Sequence, residues 1–279
     1  MMSSVLTWAM LLWVLALTGT LCIFAALLLL YALIQSHNTK VPKWRPRNRP
    51  IHLLVVLGSG GHTAEMFSML RRMELDPTKY TYRTYVVSSG DNFSAKKAVD
   101  FETTYLNQKE DPAVSERPPP TTGSYSIVIV PRARRVHQSY LTAPFSTLSS
   151  FWSCLLVLRG LHPDQGPLRS ESMHSPHPDI ILTNGPATAV CIILAARLLR
   201  LWLALSTIFL LGSRSATMSN DFRLRTIFVE SWARVTTLSL SGKLLLPFAD
   251  RFLVQWPDLA GKRAWKGMRQ TEYAGTLVD

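Results

Sequence analysis

The feature that most constrains the fold of this chain is a short segment in which an apolar run passes through three glycines into an amphipathic pattern. The segment is IHLLVVLGSGGHTAEMFSMLRRM, residues 51–73. The apolar run predicts a buried strand, and the spacing of the later apolar residues predicts a helix. Glycine lacks a Cβ atom, so a ligand can approach the free amides of the first helical turn closely. Such amides attract phosphate, and the segment therefore predicts an anion-binding turn.

An uncharged apolar run lies close to the amino terminus. Residues 5–34 contain no charged side chain, and the run exceeds the roughly 20 residues that a helix needs to cross a bilayer. A cleaved signal peptide would need an early basic region, and residues 1–4 have no Lys or Arg. We therefore predict one retained transmembrane anchor over residues 5–34.

The distribution of basic residues predicts the orientation of that anchor. Residues 35–50 form a basic linker with no counterpart on the other side of the apolar run, and its basic residues are Lys40, Lys43, Arg45, Arg47 and Arg49. Because positive residues stay on the cytosolic side, residues 1–4 should be lumenal and the rest of the chain cytosolic. The net charge of +12 is otherwise spread along the chain, which favours anionic lipid or substrate phosphate as the partner over nucleic acid.

Cysteine and histidine spacing argues against a disulfide framework and a zinc site. The cysteines are Cys22, Cys154 and Cys191, without a CxxC pair, which fits a reducing compartment. The polar stretch between residues 160 and 178 contains three histidines, but they do not have a regular ligand spacing. We predict neither a metal nor a cofactor.

Strand and helix patterns alternate along the rest of the chain. After the first strand, β-rich runs are found at 81–90, 124–131, 179–183, 225–231 and 250–256. Helical patterns lie between them, and long insertions are found at 107–124, 160–178 and 197–224. This alternation predicts a Rossmann-like, doubly wound parallel sheet in a single α/β domain. Arg197 precedes the apolar stretch at 198–211 and Arg200 interrupts it, which favours an interfacial or partner-facing helix over a second span.

Candidate site residues follow from the rule that open parallel sheets bind ligands at the carboxyl ends of their strands. The candidate catalytic residues are His62, Glu65 and Glu230. The candidate substrate-binding residues are Gly58, Ser59, Gly60, Gly61, Thr63, Asn184 and Gly185.

Each polar candidate has a structural alternative to its chemical role. His62 is a candidate proton acceptor or only a neighbour of the helix N-cap. Glu65 is a candidate base or a partner of the helix dipole. Glu230 is a candidate base or lies at a solvated strand end. Asn184 is a candidate hydrogen-bond donor or a turn residue.

A dinucleotide site is disfavoured, because the glycine spacing departs from GxGxxG and Asp91 lies late for a ribose-binding acid.

Three motifs carry a resemblance to a known family. They are LGSGGHTAEM, TNGPATAV and IFVESWARVTTLSLSGKLLLPFADRFLVQW. With the single amino-terminal span, they closely resemble the membrane-anchor subunits of the endoplasmic-reticulum UDP-N-acetylglucosamine transferase. The match covers most of residues 51–258, and more weakly it extends to the bacterial enzyme that glycosylates a lipid-linked muramyl intermediate.

The resemblance implies that residues 51–258 are the acceptor-side, amino-terminal half of a GT-B glycosyltransferase. It implies a single-pass protein of the endoplasmic reticulum, with most of its chain on the cytosolic face. The implied reaction adds the second N-acetylglucosamine to dolichol-diphosphate-N-acetylglucosamine, during assembly of the N-glycan precursor. The implied partner is a soluble catalytic subunit that binds UDP-GlcNAc, and residues 259–279 correspond to the tail that docks it.

Two other functions stay open at this stage. The first alternative is a scaffold that recruits the catalytic subunit without touching substrate. The second is a self-sufficient lipid-linked glycosyltransferase. The missing second domain disfavours the second alternative, because residues 51–279 are too few for two complete domains of about 150 residues.

Overall fold

The structure, a computed structural model, describes most of the chain. The described residues are 2–38, 50–76, 78–106, 124–134, 138–139, 141–166, 177–185, 187–211 and 223–278. Residues 39–49 of the predicted linker lie outside this description, as do 107–123, 167–176 and 212–222 of the predicted insertions. The chain divides into two compact units, residues 1–40 and residues 41–279.

The first unit is helix α1, Met2–Asn38. Within it, Trp8–Tyr31 forms a stretch of 24 residues with a mean hydropathy of 2.4, long and apolar enough to cross a membrane. This stretch lies inside the predicted anchor of residues 5–34. By length and composition, α1 is therefore a candidate membrane span.

The second unit is built on a seven-stranded, wholly parallel sheet with the order β3-β2-β1-β4-β5-β6-β7. The strands are β1 (His52–Leu57), β2 (Tyr82–Ser88), β3 (Ser124–Val130), β4 (Ile180–Asn184), β5 (Arg225–Val229), β6 (Arg251–Val254) and β7 (Glu272–Tyr273). The helices are α2 (Gly61–Arg72), α3 (Asn92–Asp100), α4 (Ala143–Leu158), α5 (Thr188–Leu211) and α6 (Leu240–Leu245). A π-helix, Phe101–Leu106, continues α3. The predicted doubly wound parallel sheet is confirmed.

The residues of strand β1 show why helices cover both faces of the sheet. All six of its residues are buried. Leu54 and Val56 pack into the core formed with α4, α5 and α6, whereas Leu53, Val55 and Leu57 pack into the core formed with α2 and α3. A continuous apolar run is the pattern of a strand that lies between two helical layers.

The carboxyl tail belongs to the sheet. Strand β7 pairs in parallel with β6, and the side chains of Leu277 and Val278 pack against the core on the α2 side. Tyr273 is 52% exposed. The sequence left open whether these residues form a docking tail or a frayed end. In the structure they lie at an edge of the fold. The docking role stays a prediction.

A buried carboxylate ties β5 and β6 to α5. Asp250 is 2% exposed and accepts hydrogen bonds from Arg197 at 2.9 Å and Arg200 at 2.8 Å. The Thr226 amide also donates to it at 3.0 Å. Burial raises the pKa of Asp250, but the neighbouring Arg197 and Arg200 outweigh burial and hold the pKa well below its usual value. The carboxylate is thus a fixed negative charge that neutralises part of an arginine cluster.

Replacing Asp250 with Asn should lower the free energy of unfolding by about 3–5 kcal/mol, because it leaves buried guanidinium groups without their counter-ion. Since the folded pKa lies below the ordinary value of 3.8, this stabilisation is complete above that pH and is lost as the pH falls through the folded pKa. Denaturant unfolding of the detergent-solubilised chain measures both effects. The exposed Asp258, changed to Asn, is the matched control. Equal stability of the two variants would contradict the prediction.

Candidate functional site

The candidate site lies where the winding of the sheet reverses. Strands β1 and β4 are neighbours at the centre of the sheet, and the helices that follow them, α2 and α5, cover opposite faces. The two loops therefore diverge and leave a crevice at the carboxyl ends of these strands, the usual ligand position in such folds. Residues 58–62 and Asn184–Gly185 line this crevice.

The glycine turn after β1 opens directly into α2. Ser59, Gly60 and Gly61 are exposed, and Gly60 has φ of +63°, which favours glycine. Gly61 and His62 contribute the first two amides of the helix, which have no carbonyl of the helix to bond, and neither makes a backbone hydrogen bond with a described residue. The turn thus presents free N–H groups at the positive end of a helix dipole.

The imidazole of His62 occupies a space that two glycines create. A Cβ atom on Gly58 would lie 2.7 Å from the His62 Cβ, and one on Gly185 would lie 2.9 Å from the His62 Cγ. Gly185 also has φ of +82°. The crevice therefore requires glycine after both central strands if the histidine is to stay in place.

A carboxylate and two polar residues lie around this histidine. The Glu65 Oε2 atom lies 3.6 Å from the His62 Nδ1. The Glu65 Oε1 atom accepts a 2.8 Å hydrogen bond from the Ser231 hydroxyl. The Asn184 amide donates to the His62 carbonyl at 2.8 Å and to Glu65 Oε2 at 3.4 Å. Residues from α2, β4 and the end of β5 thus hold one histidine–carboxylate pair.

The environment keeps Glu65 ionised. Burial raises its pKa, but the nearby His62 side chain and the hydrogen bond from Ser231 outweigh burial and leave the pKa below its usual value. The His62 side chain is 30% exposed, whereas that of Glu65 is 16% exposed. The imidazole is therefore the more accessible of the two groups, and the carboxylate lies behind it.

Ser231 is a site residue that the sequence analysis missed. Its hydroxyl receives a hydrogen bond from the Ala233 amide at 3.3 Å while donating to Glu65. Its position directly after Glu230, at the same strand end, was the available signal.

One predicted site residue, Thr63, faces away from the crevice. Thr63 is fully buried, and its hydroxyl donates to the Gly58 carbonyl and lies 2.6 Å from the Ser94 hydroxyl. Ser94 in turn bonds Asp91, whose carboxylate caps α3. Thr63 therefore stabilises the glycine turn through its hydrogen bond to Gly58. Asp91 is the N-cap residue of α3.

Glu230 is buried at the end of β5. It is 2% exposed, so the expectation of a solvated strand end is wrong. Its carboxylate accepts hydrogen bonds from the Ser239 amide at 3.0 Å and the Ser231 amide at 3.2 Å. A Cβ atom on Gly242 would collide with it. Glu230 thus lies beneath the start of α6, where an anion is favourable, and it holds the segment that carries Ser231.

A cleft of about 510 Å³ extends from the first turn of α2 along α3. Its lining includes Thr63 and Ala64 and the rings of Phe67, Phe93 and Tyr105. Arg71 and Lys97 contribute cationic groups. The cleft offers apolar surface with positive charge beside the same helix that begins at the glycine turn.

Comparison with known proteins identifies relatives across almost the whole second unit. The family model described as "Oligosaccharide biosynthesis protein Alg14 like" matches residues 53–277. A protein of Aspergillus fumigatus named UDP-N-acetylglucosamine transferase subunit alg14 is 63% identical over 230 residues, 77% of this chain and 100% of that protein. The Schizosaccharomyces pombe protein of that name is 37% identical over 92% of this chain and 96% of its own length.

Similarity to solved structures is lower. The crystal structure of Acinetobacter baumannii MurG aligns with a TM-score of 0.39 at 14% sequence identity. The alignment covers 75% of this chain and 43% of that one.

Proposed function

The chain belongs to the family of Alg14-like oligosaccharide biosynthesis proteins, and on that premise we propose that it is the membrane-anchoring, acceptor-side subunit of a UDP-N-acetylglucosamine transferase. The proposed complex adds the second N-acetylglucosamine to dolichol-diphosphate-N-acetylglucosamine at the cytosolic face of the endoplasmic reticulum. A soluble catalytic subunit would supply most of the UDP-sugar site. The observation that carries the proposal is the open glycine turn, with free amides beside a histidine that lies 3.6 Å from a carboxylate.

The diphosphate of the acceptor is proposed to lie on the amino end of α2. The amides of Gly61 and His62 point out of the helix start and would donate to phosphate oxygens. Gly60 and Gly61 have open space around the positions where a Cβ atom would lie, so the phosphate can approach the backbone. The polyprenyl tail would remain in the bilayer that holds α1.

His62 is proposed as the general base. The Nδ1 atom is buried against Glu65, so Nε2 is the nitrogen available to the acceptor. As the acceptor hydroxyl attacks the anomeric carbon of the donor with inversion, the bond to UDP breaks and the imidazole takes the hydroxyl proton. Glu65 then stabilises the imidazolium, and Ser231 and Asn184 hold the carboxylate; both roles are those of orienting groups in a catalytic triad. Glu230 is assigned a positioning role through Ser231.

Membrane topology follows from the charge pattern. The basic residues after the span favour a cytosolic location for residues 35–279, with residues 1–4 in the lumen. Residues 259–279, which add β7 to the edge of the sheet, are the proposed docking segment for the soluble subunit. Recruitment to the membrane would confine the enzyme to the surface on which its lipid acceptor diffuses.

A reconstitution experiment tests this function. The purified full chain, the purified soluble partner and the assembled pair are each given labelled UDP-GlcNAc and a lipid-diphosphate-GlcNAc acceptor. We expect transfer by the pair and none by either protein alone.

Each contrary result would support a different function for the chain. Transfer by the chain alone would make it a self-sufficient glycosyltransferase and would contradict the proposal. Transfer by the soluble partner alone, at the rate of the pair with a water-soluble acceptor, would reduce the chain to a scaffold.

A further inference from the structure

The cleft lined by α2 and α3 has no part in the proposed reaction. Helix α2 contributes Phe67 and Arg71 to its lining, α3 contributes Phe93 and Lys97, and the π-helix contributes Tyr105. Residues four apart lie on the same side of a helix, so each of the two helices presents one side to the cleft. The volume of about 510 Å³ falls within the range of small-molecule sites, roughly 300–1,000 Å³.

Four of the described residues that line the cleft are aromatic. The ring centroids of Phe67 and Phe101 lie 5.0 Å apart, and those of Phe101 and Tyr105 lie 5.1 Å apart in a stacked arrangement. The fourth ring, that of Phe93, is 54% exposed. Exposed aromatic rings favour flat groups that stack on them. The cleft is therefore suited to a planar ring such as a nucleobase.

The cleft also carries more positive than negative charge. Among the described lining residues, Arg71 and Lys97 are cationic and Asp100 alone is acidic. The Lys97 Nζ lies 3.9 Å from an Asp100 carboxylate oxygen, and both side chains are 49% exposed, so this ion pair is weak. No residue in the described part of the chain forms an ion pair or hydrogen bond with the Arg71 guanidinium. An arginine without a counter-ion beside a lysine favours a phosphate group.

A buried ion pair holds the π-helix that contributes to the cleft. Glu102, which is 3% exposed, accepts 2.7 Å hydrogen bonds from the Arg83 Nε and Nη2 atoms and from the Tyr85 hydroxyl. These contacts join the π-helix to β2, and Phe101 and Tyr105 lie on the same π-helix. Helices of this type are rare and are frequently found at functional sites. Buried contacts thus fix the backbone that carries two of the rings, which favours a preformed site.

Rings and charges together select one class of ligand. A lipid tail would use the rings but not the charged side chains, whereas a free phosphate would use the cations but not the rings. We propose that the cleft binds a nucleoside phosphate, with its base stacked on Phe93 and its phosphate at Arg71 and Lys97. Asp100 is then placed to accept a hydrogen bond from a ribose hydroxyl, as acidic residues do in other nucleotide sites. The site goes beyond the proposed transferase function and does not depend on it.

Calorimetric titration of the detergent-solubilised full chain, without a soluble partner, tests the site. UDP is the probe, since the proposed reaction releases it. Phe93→Ala and Arg71→Ala should each weaken UDP binding by about 10-fold or more, because they remove the stacking ring and a phosphate contact. Both side chains are exposed, so the fold should survive, and melting temperatures check this.

Matched control variants change the same residue types outside the cleft. They are Phe145→Ala on α4, where the side chain is 77% exposed, and Arg72→Ala beside Arg71. Neither residue is among the described residues that line the cleft, so both variants should bind UDP as the unmodified chain does. Equal weakening in the controls and in the cleft variants would overturn the proposal.

Three further probes separate the parts of the ligand. Uridine and pyrophosphate should each bind about 10-fold more weakly than UDP, because each has only half of the contacts. Pyrophosphate that binds as tightly as UDP would refute the base contact. Geranyl diphosphate carries the same phosphates on an apolar chain, and an affinity equal to that of UDP would identify an isoprenoid cleft and contradict the proposal.

The Gly61→Val variant separates the cleft from the glycine turn, which is a second place for phosphate. Gly61 is not among the described residues that line the cleft, so this variant should keep its affinity for UDP. Loss of UDP binding in this variant, with Phe93→Ala unaffected, would place the nucleotide on the turn and overturn the proposal. Absence of UDP binding to the unmodified chain would also overturn it, whereas the reconstituted transfer reaction would be unaffected.

Discussion

Replacing Gly61 with valine should reduce transfer by the assembled complex by about 10²-fold or more, because the side chain would occupy the space in which the diphosphate approaches the amides. The fold should survive the change. No described atom lies within 4 Å of a Cβ atom at Gly61, and its φ is not in the left-handed region. Valine and glycine differ by about 0.5 kcal/mol in helix propensity. Gly60 is a poorer test, since its φ of +63° would strain any side chain.

The matched control is Gly166→Val. Gly166 follows α4, lies in open space and also has an ordinary φ. Transfer rates, melting temperatures and co-purification of the soluble partner are compared for both variants. Near-normal transfer by the Gly61 variant would refute the phosphate-binding turn. Loss of transfer accompanied by loss of the partner would assign Gly61 to assembly instead.

The glycine turn and the order of elements could be predicted from sequence because their causes are local. A buried strand, a turn with positive φ and a helix start each need particular residue types within about ten positions, and residues 51–73 supply them in order. It could also be predicted that the turn after β1 and Asn184 lie in one crevice, because parallel strands place their carboxyl ends at one edge of the sheet.

The partners of the polar side chains could not be predicted, because they depend on contacts distant in the chain. Ser231 bonds Glu65 across a separation of 166 residues, and Glu230 turns beneath α6 because Ser239 supplies an amide there. Thr63 is buried because its hydroxyl packs against that of Ser94, which donates a hydrogen bond to Asp91. A pattern of residue types does not specify which way such side chains turn.

Substitution of His62 by alanine should lower kcat by about 10²- to 10⁴-fold with a smaller change in KM, because it removes the proton acceptor but leaves the amides of the turn in place. His162→Ala is a matched control, since the His162 Nδ1 lies 3.7 Å from a carboxylate oxygen of Asp164 in the loop after α4. That pair has the same chemistry as His62 and Glu65 but lies outside the crevice. Unchanged kcat in the His62 variant would exclude it as the base.

Glu65→Gln should lower kcat by less than His62→Ala does. The variant keeps an acceptor for the Ser231 hydroxyl but removes the negative charge 3.6 Å from the His62 Nδ1. Because the pKa of Glu65 lies below its usual value, the carboxylate is ionised near neutral pH, and the charge that the variant removes is the one proposed to stabilise the imidazolium. Transfer rates of the two variants, measured side by side in the assembled complex, check this order. If Glu65 were instead the base, its glutamine variant would lose as much activity as His62→Ala.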